Sequence, residues 1–102
     1  MKTSFRPLGK VREIIETTGL DISYAYEDLV FSDHSVFILR FDEDNENKLH
    51  LYFNSECNNT EAGILETRLI TAGKIGGFEI QKGGLFAIDQ LDEKEEIQIK
   101  FL

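Results

Sequence analysis

With 102 residues, 41% of them hydrophobic and 29% charged, and with eight Phe and three Tyr, the chain has the size and apolar content of one domain that buries its own core. Its 19 acidic against 11 basic residues leave a formal net charge of −8, the wrong sign for nucleic-acid backbones or anionic membrane surfaces. No apolar run reaches signal-peptide or membrane-spanning length, and the lone Cys57 cannot form an intrachain disulfide, so a cytoplasmic, reducing home is expected.

In chain order, Leu8, Val11, Ile14 and Ile15 share one side of a helix whose other side carries Lys10, Arg12, Glu13 and Glu16. Pro7 suits its first turn, and Gly19 can take the left-handed conformation that closes it, so the helix should run from Pro7 to Thr18. The period then changes. Ile22, Tyr24 and Tyr26 alternate with Ser23 and Ala25 as a strand, interrupted by Glu27-Asp28 before Leu29–Phe31. Ser32–Ser35 is turn chemistry. Val36–Phe41 is nearly all apolar and reads as an interior strand. Asp42–Asn47 is a polar hairpin loop, and Lys48–Phe53 alternates as a half-buried strand.

The register of this hairpin follows from the apolar pattern. Directly paired residues share a face. Pairing Phe41 with Leu49 sets Leu39 opposite Leu51 and Phe37 opposite Phe53, whereas a one-residue slip would mix the faces. Phe37, Leu39 and Phe41 are then core. Val36, Ile38, Arg40, His50 and Tyr52 lie on the second face, and Val36, Ile38 and Tyr52 are more apolar than a solvated face needs.

Beyond a loop at Asn54–Asn59, Thr60 can cap a second helix with an apolar stripe of Ala62, Leu65, Leu69 and Ala72, ended by Gly73, Gly76 and Gly77. Phe78–Gln81 and Leu85–Gln90 read as strands joined by a Gly83-Gly84 hairpin turn. Asp92–Glu96 is an acidic turn, and Ile97, Ile99 and Phe101 alternate in a last strand. The expected fold is a single α+β domain over residues 1–102 with the order α-β-β-β-α-β-β-β. Two helices should pack on a mostly antiparallel, curved sheet of about five or six strands. The expected core includes Val11, Ile15, Leu39, Leu51, Leu65 and Phe101.

Motifs for chemistry are incomplete. Asp42, Asp44 and Glu46 have the spacing that opens a calcium loop, but Asn47 and Phe53 stand where Gly and Glu are needed. Gly73-Lys74-Ile75-Gly76 matches an RNA-backbone clamp, yet it precedes a strand in an acidic chain, and helix termination explains it. Cys57, His34 and His50 have no local setting for nucleophilic catalysis, and two His with one Cys fall short of a zinc site unless carboxylates complete it. The sequence therefore implies no enzyme, no catalytic residue, no metal and no cofactor.

The helix ending at Gly19, the strands around Val36–Phe41 and Lys48–Phe53, the helix after Thr60 and the strands Phe78–Gln81 and Leu85–Gln90 together resemble, in layout, the type III secretion chaperone-like fold. The resemblance implies a protein-binding surface that holds a partner chain extended along the domain. The expected function is a non-enzymatic protein-binding module, acting through Val36, Ile38, Arg40, His50 and Tyr52 on a protein partner or as a homodimer, with no nucleic acid and no membrane. An acidic inhibitor, either immunity-type or a nucleic-acid mimic built on the turns Asp42–Glu46 and Asp92–Glu96, is the second class. A small enzyme using Cys57 or His50 is the third.

Overall fold

The computed structural model describes residues 8–26, 28–91 and 96–102. In chain order these form α1 (Leu8–Glu16), β1 (Ile22–Tyr26), β2 (Leu29–Ser32), a short 3-10 turn (Asp33–Ser35), β3 (Phe37–Phe41), β4 (Lys48–Asn54), α2 (Asn59–Ile75), β5 (Glu79–Leu91) and β6 (Glu96–Phe101). All the strands join one six-stranded sheet in the order β1-β2-β3-β4-β5-β6. The molecule measures 42 × 41 × 21 Å. Its thin dimension is that of one sheet and one helix layer, each roughly 10 Å deep.

Both helices lie on the same face of the sheet. Val11, Ile14 and Ile15 of α1 and Leu65 and Leu69 of α2 pack with Phe37, Leu39, Phe41, Leu49, Leu51 and Phe53 in the main core. The helix signals act as chemistry requires. Gly19 has φ +88° after α1, the left-handed stop that a side chain would strain. Pro7, the expected first-turn residue, lies outside the described residues. Asn58, rather than Thr60, caps α2, its Oδ1 accepting from the backbone N–H groups of Thr60 and Glu61. Gly73 does not end α2. It lies inside the helix, at a point where a Cβ would meet Ile80 at 2.8 Å. Gly76 and Gly77 do end it, with Gly77 at φ +86°.

The β3–β4 hairpin has the expected register, with Phe37 opposite Phe53, Leu39 opposite Leu51 and Phe41 opposite Leu49. Val11, Ile15, Leu39, Leu51 and Leu65 are buried as expected. Phe101 is not; it is 43% exposed, because β6 is an edge strand and Phe101 pairs with Phe86 on the face away from the helices.

Two features of the sheet differ from the sequence expectation. Four strands precede α2 and two follow it, because the stretch from Ile22 to Ser32 forms two paired strands. In addition, Gly83-Gly84 is not a turn. β5 runs through it as one strand and pairs parallel to β4, so the sheet is mixed. The parallel pair needs a crossover, and α2 supplies it. The glycines serve a close approach instead. The β4–β5 register shifts at this point, and a Cβ on Gly83 would lie 2.7 Å from the Tyr52 ring.

Candidate functional site

The second face of the sheet is built by strand alternation. Cross-strand pairs place Tyr24 beside Phe31, Phe31 beside Ile38, Ile38 beside Tyr52, Phe86 beside Phe101 and Ile88 beside Ile99. The apolar half of this face continues the row through Tyr26 and Leu29, while Arg40, His50 and Gln81 make its polar half. The sheet curls so that β1–β2 approaches β5–β6 across the face. Between them lies a cleft of about 670 Å³ lined by Ser23, Tyr24, Tyr26, Leu29, Phe31, Ser35, Ile88 and Ile99. Among the described residues this lining is mostly apolar and carries no charged side chain, and it has the size and character of a binding cleft.

The sequence-predicted contact residues are distributed differently from the expectation. Val36 is not on this face. It follows the 3-10 turn in helical conformation, before β3 begins, and packs against the helix-side core. Ile38 is on the face but fully buried, in a small cluster with Phe31 and Phe86, bordered by Leu29, Tyr52, Ile88 and Ile99. The chain's own strands close over it, because the curl brings β5–β6 onto β2–β3. Ile38 is therefore not a free contact residue. Tyr52 is half-buried, its ring meeting Phe101 edge-on with centroids 4.7 Å apart.

Arg40 and His50 are paired neighbours, and each meets a carboxylate of the chain. The Arg40 guanidinium lies 3.6 Å from Asp28, an ion pair too long for a hydrogen bond. His50 Nε2 is 2.7 Å from Asp42 Oδ1. The other Asp42 oxygen accepts from the backbone N–H groups of Asp44 and Asn45. The hydrogen bond from His50 and then those from the turn hold the Asp42 carboxyl below the usual carboxylate range. One Asp42 oxygen thus meets His50 and the other closes the turn. Among the described residues, no three His, Cys, Asp or Glu side chains are grouped to hold a metal ion.

Cys57 is half-buried beside Asn58 and Glu61, in a recess that also includes His34. Burial, with the charge of Glu61 added, pushes its thiol pKa up and disfavours the thiolate a nucleophile needs. The acidic turn at Asp92–Glu96 lies largely outside the described residues. No described helix is long and apolar enough to cross a membrane.

The cleft residues Tyr24, Tyr26, Ile88 and Ile99 were not among the sequence candidates. Tyr24 and Tyr26 are 57% and 55% exposed, and their rings stack with centroids 6.3 Å apart at 9° between planes. The signal for them was present in the alternation of two Tyr with Ser23 and Ala25, which puts two aromatics on one face of a strand. Comparison of the chain with protein-family profiles, curated proteins and solved structures gives no match.

Proposed function

We propose that this protein is a non-enzymatic protein-binding module that engages its partner through the open, apolar part of the second sheet face. The observation that carries the reading is the cleft, mostly apolar among the described residues, that is lined by the exposed, stacked pair Tyr24 and Tyr26. Tyr offers a large apolar body with a polar tip at low entropic cost, and it is one of the residue types that dominate interface energy. An apolar surface left open on a small domain marks a contact site. The raised thiol pKa of Cys57 weighs against its use as a nucleophile. A cytoplasmic setting belongs to this reading and rests on the single free Cys57.

The test is capture of the partner by wild type and by Tyr26→Glu, at rising salt, with sedimentation to detect a second copy. Tyr26 is exposed, so the variant should stay folded, which circular dichroism checks. An apolar interface should survive salt and be lost in Tyr26→Glu. Capture that salt abolishes and Tyr26→Glu leaves intact would instead place the function on the acidic turns, as an inhibitor requires.

A further inference from the structure

Resting on that reading, we infer that the partner is a basic, extended segment that adds to the sheet as a strand along β1, with alternate side chains packing on Tyr24 and Tyr26 at the mouth of the cleft. Three observations converge on this occupant. β1 is an edge of the sheet, and all its residues from Ser23 to Tyr26 are exposed. The direction of its free backbone groups follows from the ladder. Phe41 N–H donates to Asp28 C=O at 2.9 Å, which makes that pair hydrogen-bonded between β2 and β3. Antiparallel alternation then aims Leu29 and Phe31 at Tyr26 and Tyr24, and turns the N–H and C=O of Ala25 out of the sheet. A strand added there would set its own side chains directly beside the two Tyr rings.

The second observation is the absence of protection. Edge strands are commonly guarded by Lys, Pro or a bulge. β6, the opposite edge, carries Lys100, whereas Ser23–Tyr26 carries neither charge nor Pro. The one bulge of β1 lies between Ile22 and Tyr24, upstream of the outward-facing Ala25. The third observation is charge. Each chain carries −8, so a second copy meets like charge, while a basic segment gains at every distance within the screening length. The described lining of the cleft carries no charged side chain, so the charges of the segment belong on its solvent-facing positions, alternating with apolar ones.

The experiment uses the full chain and three capped synthetic peptides: alternating Lys and Val, the same peptide N-methylated at every residue so that neither strand edge can donate, and alternating Glu and Val. Binding is read by fluorescence anisotropy, and the Ala25 amide by hydrogen exchange. The Lys/Val peptide should bind and protect the Ala25 amide. N-methylation, which removes backbone donors and keeps the side chains, should weaken binding about tenfold or more, and so should the change to Glu. Equal binding of the N-methylated peptide overturns strand addition but leaves an apolar contact face in place. Equal binding of the Glu/Val peptide overturns the basic partner. Failure of all three peptides, or a dimer dissolved by Tyr26→Glu, ends the inference. Only the capture experiment with Tyr26→Glu decides the broader reading.

Discussion

On the helix side of the sheet, Phe37, Leu39, Leu49, Leu51 and Phe53 are all at most 1% exposed, because α1 and α2 press Val11, Ile15, Leu65 and Leu69 onto them. On the other side, Ile38 and Phe86 reach 0%, but Tyr24 and Tyr26 at the margin stay more than half exposed. The same strands supply both faces, so strand patterning does not make the difference. One face is covered by a second layer; the other is covered only where the sheet curls onto itself. The curl closes over β3 and leaves the space between β1–β2 and β5–β6 open. A half-closed face of this kind gives a rigid floor beside an accessible apolar wall, which is what a binding site needs.

The sharpest way to break this comparison is a charge in the closed part of the second face. Ile38→Glu should destabilise the fold by on the order of 4 kcal/mol or more, since it would bury an unpaired carboxylate. If Ile38 were instead covered by a partner, the variant would keep its melting temperature and lose only association. Thermal unfolding and sedimentation of one sample separate the two outcomes.

Cavity formation on the helix side should come next. Leu51→Ala should cost about 2–5 kcal/mol, from lost transfer energy and a residual cavity. Tyr26→Ser, on the open margin, should stay within about 0.5 kcal/mol of wild type. Denaturant titration checks both, and similar losses at the two positions would mean that the faces are not differently covered.

Gly83→Ala probes the close approach that lets Tyr52 lie across β5. A methyl group 2.7 Å from the Tyr52 ring must displace it, at about 1–3 kcal/mol. Removing the ring in Tyr52→Ala should make the glycine substitution nearly neutral, a coupling that a double-mutant cycle measures.

The smallest expected effect is at the polar end of the second face. Because the Asp42 carboxyl titrates below its ordinary value, the His50–Asp42 pair stabilises the fold above that ordinary value, and its contribution is lost as pH falls through the depressed one. His50→Ala should raise the Asp42 pKa toward normal, as followed by carboxyl NMR. An unchanged titration would show that the backbone N–H groups of Asp44 and Asn45 alone hold it down.

Much of the fold was legible because local physics dictates it. The 3.6-residue period of Val11, Ile14 and Ile15 places α1, Gly19 stops it, and the period-two pattern of β3 and β4 permits only one register that keeps both faces consistent. The loop at Asp42 needs only its own backbone and His50. The sequence could not choose between turn and bulge at Gly83-Gly84, because glycine permits both conformations. That choice was made by the Tyr52 ring, which is distant in sequence, and by α2, which carries the chain across to a parallel pairing. It also could not tell which of the residues sharing the second face would be open. Ile38 and Tyr26 lie on one face by alternation, yet one is sealed and the other free, because coverage depends on how far the sheet curls and on which strand ends at an edge. Periodicity assigns a residue to a face; only the packing of non-neighbouring strands decides what that face meets.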